Sequence, residues 1–298
     1  MSITTGIQIA GNSLRLVCIE EKKKTCSLLG LAEWPLPDAI TSTLDSDTLS
    51  RELDRALKRL PMPADKLAFS LPGGLYHIQK IPLEVASEDD RRDQITWEAS
   101  QALIAPPEDY VIDFVPAGRV AFWTAVRKQV IDLLIMASET IGDLTTHITI
   151  EPIALFHAGL QADTWGPGRQ TVIHLDSPWS SFVAVENGIL IAAETVRAHD
   201  TVPQMATLQT QQIRQWVSGD LAGAQHRPPY QQVYLSGQAV DISAGDISPS
   251  QEIAPTEYPA FAGLDTTQLL EQKELKQPGK YAIAVGAAIH SLSQNGNK

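Results

Sequence analysis

Gly6-Ile7-Gln8-Ile9-Ala10-Gly11-Asn12-Ser13-Leu14-Arg15-Leu16-Val17-Cys18-Ile19-Glu20 reads as strand, tight turn, strand, and it has a distant echo at Gln170-Thr171-Val172-Ile173-His174-Leu175-Asp176-Ser177-Pro178-Trp179-Ser180-Ser181-Phe182-Val183-Ala184-Val185. In both stretches β-branched and aliphatic residues run up to a small polar turn, Ala10-Gly11-Asn12-Ser13 or Asp176-Ser177-Pro178, and resume directly after it. That is the hairpin pattern. A repeat at about half the chain length predicts two similar lobes facing each other, their turns lining a shared cleft.

The chain of 298 residues is long enough for two or three domains with their own cores. A formal charge of -12 excludes a nucleic-acid surface of clustered Lys and Arg. The one basic cluster, Lys22-Lys23-Lys24, fits a solvated hairpin loop, with anionic lipid head groups as the alternative contact. Cys18 and Cys26 show neither CxxC nor metal spacing and read as reduced core or edge residues of a cytosolic protein. No basic segment followed by an apolar run opens the sequence, and no window reaches the roughly 18 apolar residues of a membrane span. A protein of this kind works at a membrane only if a partner holds it there.

Along the chain, Cys26 to Trp34 reads as a third strand ended by Pro35 and Pro37, and a helix follows, capped by Ser46 or Asp47, with Leu49, Leu53, Leu57 and Leu60 at helical spacing. Lys66 to Leu71 and Tyr76 to Ile81 read as a second hairpin around Pro72-Gly73-Gly74. Ser87 caps a helix whose first turn is acidic and whose stripe is Ile95, Ala99, Ala102 and Leu103; Trp97 on that helix fits either core or an exposed interface anchor. Two strands and a helix ending at Gly142 complete an inserted β-β-α-β-β-α unit over residues 65 to 145. Residues 146 to 168 then close the first lobe and supply the hinge, and 169 to 298 form the second lobe. Within it, 203 to 219 reads as one helix, 241 to 256 as loop, and Tyr281 to Leu292 as a small-residue helix able to pack closely on a neighbour.

Leu71-Pro72-Gly73, Lys80-Ile81, Asp93-Gln94-Ile95-Thr96-Trp97-Glu98-Ala99, Ile104-Ala105-Pro106, Asp113-Phe114, Ala125-Val126-Arg127-Lys128 and Glu151-Pro152-Ile153-Ala154-Leu155 follow one another in an order and spacing that resemble the PilM family. These are actin-like, FtsA-related proteins of type IV pilus assembly, with relatives in MSHA-like and secretion-type systems. The resemblance runs over nearly the whole chain and includes Gly6-Ile7-Gln8-Ile9 and Tyr234-Leu235-Ser236-Gly237. It implies an α/β architecture of two RNase H-like lobes around a nucleotide cleft, with an SHS2-like subdomain inserted in the first. It also implies a cytoplasmic protein, peripheral to the inner membrane, that grips an N-terminal peptide of a PilN-like membrane protein alongside other assembly components. By position, the family's nucleotide contacts fall on Gly11, Asn12, Ser13 and Arg15, on Ser177, and on Ser236 and Gly237.

The cleft residues depart from that pattern in one direction. Gln8 stands where the family carries a magnesium-holding acid, and Ala10 replaces a phosphate-loop glycine. His174 and Asp176 occupy the expected Asp and Gly positions, so a carboxylate would face phosphate oxygens. Two like charges about 4 Å apart repel by roughly 4 kcal/mol at an effective dielectric of about 20. Pro178 removes an amide donor from the same turn. Between the strand ending near Glu194 and that at Gln232 there is room for about one helix, so the second lobe reads as shortened, without most of the family's helical lid.

The expectation is a degenerate, non-catalytic ATPase fold that holds no cofactor and acts as a scaffold, with an ATP- and magnesium-binding ATPase or a sugar kinase as the alternative. An FtsA-type filament protein is the third reading, and no amphipathic tail after the last helix supports it. His174 and Asp176, two apart on a strand, share one face and read as a polar pair rather than a metal or acid–base site. The other histidines share no local spacing, and no Ser-His-Asp arrangement is visible in the sequence.

Overall fold

Three strands open the first lobe: β1 (Ser2–Ala10), β2 (Ser13–Lys22) and β3 (Thr25–Pro35). They pair antiparallel in sequence order, with Gln8 opposite Arg15 and Arg15 opposite Glu33. The computed structural model describes residues 2–23, 25–36, 46–83, 87–142, 144–176, 178–197, 231–238, 255–269 and 272–295. Helix α1 (Ser46–Leu57) buries Leu49, Leu53 and Ala56 and crosses over to β4 (Lys66–Leu71), which lies parallel to β1 on the side away from β2. β8 (Thr145–Ile150) adds parallel to β4 and completes the order β3-β2-β1-β4-β8.

The second lobe repeats that arrangement. β9 (Arg169–Leu175), β10 (Trp179–Glu186) and β11 (Ile189–Arg197) form the meander, β12 (Gln232–Gly237) lies parallel to β9, and the short β13 (Thr256–Glu257) is parallel to β12. The order β11-β10-β9-β12-β13 is that of the first sheet, strand for strand. The two hairpins of the sequence repeat are therefore β1–β2 and β9–β10, at equivalent positions in two like sheets.

One sequence expectation is corrected here. β4 and the following strand, β5 (Tyr76–Pro82), do not form a hairpin: β4 belongs to the first sheet, and β5 pairs with β7 (Val120–Arg127). The inserted unit is thus β5, α2 (Glu88–Ala102), β6 (Tyr110–Ala117), β7 and α3 (Lys128–Gly142), with sheet order β5-β7-β6. The physical reason is burial. All of Leu67 to Leu71 is inaccessible to solvent, as a central strand covered on both faces requires, whereas β5 is mostly exposed, with only Tyr76 and Ile81 buried. The insertion has a core of its own that includes Ile81, Ile95, Ala99 and Trp123. Ser87 caps α2, its Oγ accepting from the Asp90 amide at 3.2 Å. Ala102, expected on the buried stripe, is exposed because the helix ends there and Leu103 turns inward instead.

Helix α4 (Glu151–Gln161) follows β8 and packs along α5 (Ala282–Asn295), which also lies across β1. Two glycines set this approach. A Cβ on Gly6 would stand 1.9 Å from the Ala284 carbonyl oxygen, and one on Gly286 would stand 1.7 Å from that of Ala154. The C-terminal helix is therefore seated in the first lobe, backbone against backbone. The expected helix at 203–219 and nearly all of the expected loop at 241–256 lie outside the described residues. Among the described helices none is long and apolar enough to cross a membrane.

Gly6→Ala and Gly286→Ala should each lower unfolding free energy by about 1–3 kcal/mol through overpacking. Gly142→Ala, where nothing lies within 4 Å of the new methyl, should be near neutral. Chemical denaturation of the three variants checks this.

Candidate functional site

Strand pairing brings two rows of side chains face to face across the cleft. In the first sheet the row is Glu33, Arg15, Gln8 and Ser70; in the second it is Ser181, His174 and Ser236. Gln8 and His174 hold equivalent places in β1 and β9, and their Nε2 atoms are 3.1 Å apart. Just past the end of β9, Asp176 turns into the space between the rows. Arg15 meets it with both terminal nitrogens, Nη1 to Oδ2 at 2.6 Å and Nη2 to Oδ1 at 3.0 Å. Gln8 accepts from Arg15 Nη1 through Oε1 at 3.2 Å and donates to Asp176 through Nε2 at 3.3 Å. Gln8, Arg15 and His174 are wholly buried.

Burial opposes both charges of this pair, and the partners outweigh it. Desolvation would raise the Asp176 carboxyl, yet His174 and Arg15 pull it down to about 2. Desolvation would lower Arg15, yet Asp176 and Glu33 raise it. His174 is held neutral, its pKa lowered by burial and by the Arg15 charge against the pull of Asp176. The bidentate geometry is the strong form of a charge-assisted hydrogen bond. Asp176 therefore does not confront phosphate as a bare negative charge: it is bonded to the arginine that the resemblance gives to the nucleotide.

Of the six family-implied positions among the described residues, the structure brings Arg15 and Ser236 into this network and leaves the other four around it. Ser236 Oγ is 2.8 Å from His174 Nδ1. Ser13 Oγ donates to the Ala10 carbonyl and to Glu33, both at 3.4 Å. Gly11 (φ 52°) and exposed Asn12 form the β1–β2 turn, where the Asn12 carbonyl accepts from the Leu36 amide. Gly237, also at positive φ (94°), ends β12 against the Leu175 backbone. Ser177 lies outside the described residues.

Three groupings escaped the sequence. Ser236, His174 and Asp176 stand in line through the two nitrogens of one imidazole, with Asp176 Oδ2 at 3.0 Å from Nε2. Local sequence context gives no sign of this grouping, because Ser236 lies 62 residues from His174. Ser236 and His174 are fully buried, and Arg15 already holds the carboxylate.

A second grouping runs from the insertion to both lobes. Tyr76 Oη is 2.6 Å from Thr195 Oγ1, Thr195 is 3.4 Å from Ser181 Oγ, and Ser181 donates to Glu151 Oε2 at 2.8 Å. Buried Glu151 is pushed up to about 8 by desolvation and by Asp176, against the hydrogen bonds of Ser181, Gln8 and the Gly73 amide.

The third grouping is His147, His157 and His290, drawn from β8, α4 and α5. His147 Nε2 and His290 Nδ1 are 3.3 Å apart, and the His157 and His290 rings stack at 4.0 Å. Burial lowers all three, His157 to about 4 and His290 to about 2, so they pack as neutral rings. No group of three or more His, Cys, Asp or Glu placed to hold a metal ion occurs among the described residues. Signals existed for two of these contacts: His174 and Asp176, two apart on one face, and the opposite charges Arg15 and Asp176 beside the turns of hairpins read as facing each other.

His290 also lines a groove of about 280 Å³ where the insertion meets the first lobe. Leu71, Val111, Ile131, Ile148 and Ile153 make it apolar, and Asp113 sits among them. Its borders include β6 and β8, each an edge strand of its sheet.

No family model matches the chain, and no curated protein matches it by sequence. Solved structures do match in shape. A PilM–PilN type IV pilus biogenesis complex superimposes with a TM-score of 0.82 at 15% identity, over 97% of this chain and 98% of the matched one. The cytoplasmic domain of EpsL, an inner membrane component of the type II secretion system of Vibrio cholerae, gives 0.54 at 8% identity over 86% and 91%. An inorganic polyphosphate/ATP-glucomannokinase from Arthrobacter sp. strain KM gives 0.54 at 14% identity over 99% and 100%. The chain has the actin-like α/β fold. Within that class its form is PilM-like, matched along almost its whole length.

Removing one member of the buried pair leaves the other charge without its partner. Arg15→Met should cost about 3–5 kcal/mol, and Arg15→Met with Asp176→Leu should recover most of that loss, since replacing both charges is close to neutral. Urea unfolding of the single and double variants checks the coupling.

Glu151 stays neutral in the folded protein while its unfolded counterpart ionises above about pH 4.5. Its contribution is complete below that pH and is lost as pH rises towards 8. The stability of Glu151→Gln relative to wild type should therefore rise by on the order of 3 kcal/mol between pH 5 and pH 8. Melting curves across that range test the sign.

Proposed function

We propose that this protein is a non-catalytic scaffold of a type IV pilus or related secretion-type assembly machine, recruited to the inner membrane by a short N-terminal peptide of a PilN-like protein. The observation that carries this reading is the match in shape to the PilM–PilN complex, which leaves almost none of either chain uncovered. The likeness to the EpsL cytoplasmic domain points the same way. The cleft chemistry supports the absence of catalysis. An ATPase needs an anchored metal and an open phosphate site, and here Gln8, Arg15 and Asp176 bond to one another at that position.

The peptide docks in the groove between β6 and β8. Each edge strand offers unpaired backbone groups to an extended segment, and alternate side chains of the segment would enter the apolar floor. Val111 and Ile135 stand at its open side, 43% and 37% exposed, and are free to make such contacts without supporting the core.

Two measurements test the reading. The purified chain should co-purify with the N-terminal cytoplasmic segment of its PilN-like partner, and Val111→Glu or Ile135→Glu should abolish this with the melting temperature unchanged; failure of the folded wild type to bind counts against the proposal. Calorimetric titration with ATP and magnesium should give no binding isotherm, and a micromolar dissociation constant would restore the ATPase reading.

A further inference from the structure

The insertion is carried by the first lobe, where α3 packs on α1 and Leu134 and Ala137 share a core with Leu49 and Leu53. Its contact with the second lobe is narrower. Gly73 and Gly74, between β4 and β5, cradle the indole of Trp179 at the start of β10. A Cβ on Gly73 would stand 2.6 Å from its Cδ2, and one on Gly74, which is at positive φ (85°), 2.4 Å from its Cζ2. Beside the cradle Tyr76 Oη meets Thr195 Oγ1 at 2.6 Å, and Lys80 Nζ donates to the Ile191 carbonyl at 2.7 Å. These contacts hold β5 and the turn before it against β10 and β11.

Glu151, the first residue of α4, lies behind this contact and is buried. Ser181 donates to its Oε2 at 2.8 Å and continues through Thr195 to Tyr76, and Gln8 and the Gly73 amide also bond to it. It has no cation of its own. Among the described residues no ion pair includes it, and the Arg15 guanidinium in the seam is already shared by Asp176 and Glu33. A buried carboxylate so placed is costly, and Asp176 adds a like charge, so the group keeps its proton. The other titratable groups around it are His174, held neutral, and Tyr76, whose ionisation burial and Glu151 both oppose. Lys80 of β5 is exposed to solvent, and Glu194, one place before Thr195, points to the other face of β11. His147 of β8 and His290 of α5 belong to the histidine stack with His157 further along α4.

We propose that Glu151 is the trigger of a proton-operated latch between the insertion and the second lobe: with its proton in place the Trp179 cradle and the Tyr76–Thr195 bond are closed, and loss of the proton opens them. Ionisation puts a second negative charge beside Asp176 where no cation is left to meet it. Water relieves that charge, and it enters where β5 and its turn part from β10 and β11. Neither the Arg15–Asp176 bond nor the packing of α3 on α1 depends on this proton, so the opening is local and the lobes and the insertion stay folded. Desolvation and Asp176 push the carboxyl up to about 8, so the latch is closed at lower pH and released as pH rises through that value.

Trp179 reports on the latch directly. The fluorescence of the full chain minus that of its Trp179→Phe variant isolates this indole from the other tryptophans, and it should shift to the red between pH 7 and pH 9 with a midpoint of about 8. In the Glu151→Gln background, which keeps the side chain's shape and cannot ionise, the same difference should not move. Amide hydrogen exchange, corrected for the intrinsic effect of pH, needs no change at the reporter. Segments 73–82 and 179–197 of the wild type should exchange about tenfold faster at pH 9 than at pH 7. In Glu151→Gln the two rates should be equal, and the insertion's core around Ile95 and Trp123 should stay protected in both proteins. The proposal is overturned if the wild type shows neither change, if Glu151→Gln retains them, or if the insertion's core loosens in step with the latch segments.

Discussion

The bond between Arg15 and Asp176 is the interaction on which the relation of the two lobes depends. Each charge is buried, and each alone would be intolerable there. One comes from the second strand of the first lobe and the other from the end of the first strand of the second, so the folded state satisfies them only when the lobes face each other in register. Gln8 bonds to both, and neutral His174 donates from Nε2 to Asp176 while its Nδ1 accepts from Ser236. Across the facing turns these bonds make a seam that holds the two sheets together.

Two other devices stiffen the same frame. The C-terminal helix closes on β1 and α4 through glycines that admit nothing larger, which ties the end of the chain to its beginning. The hydroxyl relay from Tyr76 through Thr195 and Ser181 to Glu151 links the insertion and both lobes at one buried point. A frame clamped in this way is suited to presenting a surface. The groove between β6 and β8 borders the insertion, away from the seam.

Much of the architecture was legible because it rests on local patterns. The paired hairpins at 6–20 and 170–185 are visible as alternation broken by small polar turns, and they gave two lobes and a cleft. The Ser87 cap and the stripe through Ile95 and Ala99 gave α2. Lys66 to Leu71 misled because a wholly buried strand followed by Pro-Gly-Gly looks, over so short a window, like the first arm of a hairpin; only its partners β1 and β8, distant in sequence, show otherwise. Trp97 was undecided for a related reason. Its place on a helix is a matter of spacing, but whether that face meets a neighbour is not.

By itself, then, the sequence determined most of the elements, the repeat, and the residues by which the facing turns depart from the pattern they resemble: Gln8, Ala10, His174, Asp176 and Pro178. The tertiary structure alone decided which partners those residues meet. Asp176 reads from sequence as a repulsive charge, and becomes a bonding partner only when a strand more than a hundred residues away brings Arg15 within 2.6 Å. The histidines at 147, 157 and 290, without common spacing, likewise become one stack where three elements meet. The physical reason is the range of the forces involved. Helix and strand periodicity is set by neighbours along the chain, whereas the state of a buried polar group is set by whatever the fold places within a few ångströms of it.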